Sequence, residues 1–402
     1  MANSSVSPTP PTNEPDHTGH STDSHHLDHF HNALSSTTPN AHWQPDMLGP
    51  DYESMSFALG TDPDGETDIY TTLVRYTPSV QGAQSNQGVQ KAETSESTPT
   101  GNNNPAPDGH NQPAILLIHG MSDYFFQTHV AEFFANQGYA FYAIDLRKCG
   151  RSYRPGQSWH YITSITEYFT DLTTVMEYLA TIHQQIIIIA HSTGGLIAPL
   201  WLDNIKTHNP QLHQHMTALV LNSPWLDMMV PAWMSLGLTP VVNVIGKRRP
   251  HTAIPGVTLS TYGKTIHASV GGEWEFDTTM KPLYGHRKYV GWLRAIKQGQ
   301  QQIHSGQVDA GIPTLVLSSH ESILGKSYSP DRSHSADTLL DVEQIHKWAP
   351  RVAAQVTAIR VYGAIHDVFL SRKPIRQQAF AMCAAWLDSV VHPPIMESDD
   401  AE

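Results

Sequence analysis

The sequence predicts an α/β fold with a mostly parallel sheet, helices on both faces and an inserted cap. Three observations carry that expectation. Between residues 114 and 225, short apolar runs alternate with segments of helical periodicity, in the order strand, helix, strand, helix, strand, helix, strand. Several runs, such as 114–118 and 186–189, are apolar throughout rather than alternating, the pattern of strands buried on both faces. The alternation breaks over 226–300 and resumes at Pro313, so the intervening stretch reads as an insertion.

Taken in order, residues 1–41 are rich in Ser, Thr, Pro, Asn and His, with few apolar side chains, and are expected to be disordered. The histidines in this tail (His17, His20, His25, His26, His29 and His31) read as a solvated polar segment. Their spacing fixes no ligand geometry, and no cysteine or carboxylate frame supports a metal. The hydrolytic chemistry expected below needs no cofactor. Order should begin near Trp43. Met55 to Leu59 alternates apolar and polar, Asp62-Pro63-Asp64-Gly65 signals a turn, and 69–76 is β-rich, so two antiparallel strands are expected. Residues 77–112 are a polar insertion flanked by sheet-like segments. A core over 43–225 and 301–391 is expected around the cap at 226–300, followed by an acidic tail at 392–402.

Within the core, the run 114–118 ends in His119-Gly120-Met121-Ser122. A helix follows, with Phe125, Val130, Phe133 and Phe134 on one face, and Gly138 closes it. The run 139–144 stops at Asp145. Ser164-Ile165-Thr166-Glu167 reads as a capping box opening the next helix. The strand 186–189 leads through Ala190-His191-Ser192-Thr193-Gly194-Gly195 into a helix whose apolar positions are Leu196, Ile197, Leu200 and Trp201. A strand at 218–221 follows. After the cap come a strand from Pro313 to Ser319, a long polar loop, a helix around 342–348, a strand at 356–362 and a last helix opened by Pro374.

Composition narrows the function classes. A net charge of −13 argues against non-specific nucleic-acid binding. No run of about 20 apolar residues predicts a membrane span, and the N-terminus shows no basic start followed by an apolar stretch. With only Cys149 and Cys383, no disulfide framework is expected. The chain fits a reducing cytoplasm, and both thiols read as a loop and a packing residue.

The stretch around Ser192 has the form strand, sharp turn, helix, with small residues two before and two after the serine. This is the nucleophile-elbow pattern, which holds a hydroxyl away from its own strand. Serine-based acyl transfer needs an imidazole to take the proton, a carboxylate to orient the imidazole, and N–H donors for the oxyanion. His366, on a loop after the last strand, is the expected base. The acid should follow the strand ending near Ser319. Asp337 is the first choice, with Asp331, Asp341 and Glu321 as rivals. The oxyanion donors expected are the backbone N–H groups of Met121 and Thr193.

The segments LLIHGMS, AIDLRKCGRS, AHSTGG, HSADTLLD and YGAIHD resemble blocks of the α/β-hydrolase superfamily, and more narrowly its monoacylglycerol lipase/lysophospholipase branch. In that branch the second block reads D-x-R-G-H-G-x-S. Here Lys148 and Cys149 stand at the Gly-His, and Ala190 replaces the first Gly of G-H-S-x-G-G. The acid block resembles S-A-D-x-x-x-D, which implies Asp337 over Asp341. The resemblance covers about 114–225 and 313–390. It implies the α/β-hydrolase fold and a serine hydrolase cleaving the ester of a monoacylglycerol, lysophospholipid or similar single-acyl lipid through an acyl-enzyme. The partner would be a small-molecule ester, and transient membrane-surface contact is compatible with such a substrate. A prolyl-aminopeptidase-like peptidase shares the elbow. It would need a cap carboxylate for the substrate amine, and Glu273 or Glu275 is placed to serve. A non-catalytic binding protein of the same fold is the third reading.

Overall fold

A nine-stranded sheet in the order β1-β2-β3-β5-β4-β6-β7-β8-β9 organises the chain. The computed structural model describes residues 42–78, 112–228, 242–254 and 259–391. The His-rich tail, most of the 77–112 insertion, the acidic tail and most of the Met-rich part of the cap lie outside these residues. Strands β1 (Gln44–Asp46), β2 (Gly49–Gly60) and β3 (Ile69–Tyr76) run antiparallel, and β3 pairs antiparallel with β5 (Ala140–Asp145). From there the sheet is parallel, through β4 (Ala114–Ile118), β6 (Ile186–His191), β7 (Met216–Asn222), β8 (Thr314–Ser319) and β9 (Val356–Val361). The two-stranded opening and the parallel alternation expected from the sequence are both present.

The apolar runs form strands because both of their faces are covered. Every residue of β4 and β6 is buried. On one face, Ile115, Leu117, Ile187, Ile189, Val220 and Leu315 pack with Val130, Ala131 and Phe134 of α1 (Thr128–Asn136) and with Phe380, Cys383 and Leu387 of the C-terminal helix Lys373–Val391. Alternate residues such as Leu116, Ile118, Ile186 and Ile188 are equally buried. On that side α2 (Glu167–Ala180) and α3 (Gly194–His208) meet the sheet. Burial of one such Leu or Ile contributes about 1.5–3 kcal/mol. Both cysteines are buried and free.

Local signals hold with two adjustments. Phe125 lies ahead of α1, where its N–H donates to Asp145 Oδ1. The capping box is half made. Glu167 accepts from the N–H groups of Thr163 and Ser164, but Ser164 Oγ bonds Thr166 Oγ1 and accepts only a long 3.4 Å bond from Thr166 N–H, while Glu167 N–H donates to Ser164 O, and α2 starts only at Glu167. Within 226–300, α4 (Ser260–Ile266) is followed by α5 (Val290–Ser305), which crosses the expected boundary at 300 and packs on α3. Helix α6 (Val342–Trp348) and α7, the C-terminal helix, complete the chain. No helix among the described residues is long and apolar enough to cross a membrane.

Candidate active site

Ser192 sits between β6 and α3 at the carboxyl end of the parallel strands, with φ 51°. A side chain in this left-handed conformation costs about 1–2 kcal/mol, so neighbouring contacts must hold it. Ser192 N–H donates to Asn222 O at 3.0 Å, and its own carbonyl accepts from Gly195 and Trp225. The turn is tight enough to exclude larger residues. A Cβ on Gly194 would lie 2.6 Å from His119 O, and one on Gly195 would lie 2.7 Å from Pro224 Cβ. Ala190, fully buried, keeps the position two before Ser192 small.

The structure brings together the three side chains singled out from the sequence. Ser192 Oγ lies 3.0 Å from His366 Nε2, and His366 Nδ1 lies 2.8 Å from Asp337 Oδ2. A carboxylate only accepts, so Nδ1 carries the proton and donates, leaving the Nε2 lone pair to accept from the serine hydroxyl. The other oxygen of Asp337 accepts from Leu339 and Leu340 N–H at 2.7 and 2.8 Å. The long loop is registered by a parallel bridge between Ser322 and Asp337, with Asp337 N–H donating to Glu321 O and Ile323 N–H to Asp337 O. The rivals lie elsewhere. Asp341 caps α6 by accepting from Glu343 N–H, while Asp331 and the Glu321 side chain are exposed.

Met121 lines the same cavity as Ser192, and Thr193 follows Ser192 in the chain. Neither N–H donates to a backbone carbonyl among the described residues. Thr193 is the N-cap of α3, where free N–H groups and the helix dipole favour negative charge. Gly120 and Met121 form a wall shared by the cavity that contains Ser192 and a smaller one that also touches Thr193. His119 is structural. Its Nδ1 donates to Gly120 O and its Nε2 accepts from Leu146 N–H, tying the ends of β4 and β5 together.

The cavity at the carboxyl ends of the strands contains Ser192 and His366. Met121, Leu259, Tyr262, Phe276, Leu283 and Leu339 give it an apolar lining. Asp123 is the one carboxylate among its described lining residues, and the cap residue Lys281 pairs with it. Glu273 and Glu275 do not line it. Glu273 pairs instead with Arg376, at 2.6 Å, and Glu275 is exposed. Behind His366, Asn222 Nδ2 donates to Asp367 Oδ1 at 2.6 Å, and Asn222 Oδ1 accepts from Val368 N–H, pinning the histidine loop to β7. Burial raises the Asp367 carboxyl, but His191, the Asn222 amide and Lys281 outweigh it and hold the group below the usual range. Burial pushes His191 down to about 4. Sequence reasoning missed Asp123, Tyr262, Lys281 and the Asn222–Asp367 bond. Asp123 follows the His119-Gly120-Met121 stretch and Asp367 follows His366, so position was a signal for these two. The cap residues carried none.

Comparison with known proteins places these observations in a family. The family model described as Hydrolase_4, serine aminopeptidase, S33, matches residues 109–371. A monoacylglycerol lipase of Mycolicibacterium smegmatis is 24% identical over 288 residues, covering 70% of this chain and 90% of that protein. Among solved structures, a soluble variant of monoglyceride lipase from Saccharomyces cerevisiae, in complex with a substrate analog, is 15% identical with a TM-score of 0.52. The match covers 89% of this chain and 97% of that one. A Paleococcus ferrophilus monoacylglycerol lipase is 17% identical with a TM-score of 0.50, covering 70% and 96%. These two structural likenesses speak to the fold.

Proposed function

The chain belongs to the serine aminopeptidase S33 family of α/β hydrolases and is a carboxylic-ester hydrolase of the monoacylglycerol-lipase-like kind, and from that premise we propose that Ser192 attacks the ester of a single-acyl lipid. The substrate is a monoacylglycerol, a lysophospholipid or a similar ester. His366 Nε2 takes the hydroxyl proton as Ser192 Oγ bonds the carbonyl carbon, and Asp337 holds the imidazole in the tautomer that can accept it. The N–H groups of Met121 and Thr193 receive the oxyanion. His366 then protonates the leaving alcohol, and water activated by the same imidazole releases the fatty acid from the acyl-enzyme. Residues 226–300 act as the cap that shapes the acyl pocket over a core of 43–225 and 301–391.

The observation that carries this reading is the continuous hydrogen-bonded series Ser192–His366–Asp337 opening into an apolar cavity. The test is turnover of a short p-nitrophenyl ester and of a monoacylglycerol by wild type and Ser192→Ala. The substitution should lower kcat by roughly 10⁴-fold or more, and retained turnover overturns the reading. An aminopeptidase would need a free carboxylate near Ser192 for the substrate amine. The geometry favours the ester because Asp123, the one carboxylate among the described residues lining the cavity, is already paired with Lys281.

A further inference from the structure

The Asp123–Lys281 pair is unusual in where it lies. Asp123 belongs to the core loop two residues beyond Met121, whereas Lys281 comes from the cap segment, and both line the cavity that holds Ser192. Their side chains are 3% and 8% exposed, with Nζ 2.5 Å from Asp123 Oδ1. The ammonium is also faced by three aromatic rings. Nζ lies 5.3 Å from the ring centre of Phe126, 5.7 Å from that of Phe276 and 5.8 Å from that of Tyr262. Phe126 and Phe276 pack on each other at 4.9 Å, so core and cap each supply part of the enclosure.

A carboxylate combined with several ring faces is the chemistry that recognises a substrate ammonium. Here that chemistry is directed at the chain's own side chain. We propose that Asp123, Phe126, Tyr262 and Phe276 form an ammonium site beside Ser192, and that Lys281 fills it from within and so excludes substrates bearing a free amine. Lys281 is then the residue that sets this chain toward unaminated acyl esters. The proposal rests on the ester-hydrolase reading above and adds the determinant of its substrate class. A substrate amine entering the cavity would have to displace a buried, paired ammonium or lie beside a like charge, and like-charge juxtaposition is strongly disfavoured.

The test begins with wild type and two matched substrates, the ethyl esters of hexanoic acid and of 2-aminohexanoic acid. At pH 6.5 the kcat/KM should favour the unaminated ester by roughly 100-fold. That preference should narrow as pH rises past about 8, where an α-amino group loses its proton. Lys281→Ala should narrow the preference at pH 6.5. In that variant, ethylammonium should accelerate hydrolysis of the hexanoate ester by about tenfold by occupying the emptied site. In Asp123→Asn/Lys281→Ala the ethylammonium effect should vanish. Equal use of both esters by wild type overturns the proposal, as does a folded Lys281→Ala protein indifferent to ethylammonium. If that variant lacks a cooperative thermal transition, the wild-type ester pair still decides. Ser192→Ala in the same assay separates the two claims. Turnover that survives it removes the ester reading itself, whereas Ser192-dependent turnover without amine discrimination removes only the role of Lys281.

Discussion

Asp337 and Asp341 stand four residues apart in one loop, and their hydrogen bonds assign them different work. Asp337 gives one oxygen to His366 Nδ1 and the other to two backbone N–H groups. Asp341 gives its oxygen to Glu343 N–H at the start of α6. Asp337→Asn should preserve the shape of the site but stabilise the wrong imidazole tautomer, lowering kcat on a short ester by roughly 10³–10⁴-fold. Asp341→Ala should leave turnover within about twofold and cost about 1 kcal/mol of stability through the lost cap, read from urea denaturation. A large loss of turnover in Asp341→Ala with an unaffected Asp337→Asn would reverse the assignment. Composition and spacing left Asp331, Asp341 and Glu321 open because a polar loop has no periodicity to fix its register. That register comes from the Ser322–Asp337 bridge, a long-range pairing that no local pattern encodes.

At the scale of elements, the loop after β5 departs from the block it resembles and shows why it can. Lys148 stands where the related branch has glycine, and it keeps a left-handed backbone with φ 58°. Its buried Nζ lies 2.8 Å from Glu66 and is paired with Asp62, both on the loop joining β2 to β3. Arg147 next to it bridges Asp62 and Asp171. The backbone strain is thus offset by a cluster that ties the antiparallel edge of the sheet to its parallel half. Lys148→Gly should relieve the strain yet leave Glu66 without its cation and Asp62 with Arg147 alone, for a net loss of about 3 kcal/mol and a lower thermal midpoint. An unchanged midpoint would show that the cluster contributes nothing net. The departure itself was visible in the sequence, but its partners, more than eighty residues earlier, were not. The same division runs through the fold. Strands β4 to β7 were legible because runs such as 114–118 and 186–189 can satisfy burial on two faces in only one way. The wall of the cavity was not, because Tyr262, Phe276 and Lys281 come from a cap without regular periodicity and acquire meaning only against Asp123 and Phe126.

For the molecule as a whole, the histidines set the response to acid. Burial pushes His191 and His129 each down to about 4, and pushes His160 well below its ordinary value. His129 is neutral in a stack on Trp274 with its Nε2 against Phe369 O, and His191 is neutral against Asn222 O. In the unfolded chain these rings titrate near 6.5. Between that pH and 4 the unfolded state therefore binds protons that the native state refuses, so the unfolding free energy falls as pH falls. Their neutral packing is fully tolerated above pH 6.5, and each ring then costs up to about 1.4 kcal/mol per pH unit on acidification. Asp46 and Asp367, whose carboxyls are held below their ordinary values, act in the same direction at still lower pH as their native interactions are lost. Urea unfolding at constant ionic strength should thus show a loss of at least about 3 kcal/mol between pH 6.5 and pH 5, the share of His129 and His191 alone, with His160 and His286 adding to it. A stability that stays level across that interval would mean that these rings take up protons in the native state, and that the packing of His191 behind Ser192 tolerates an imidazolium.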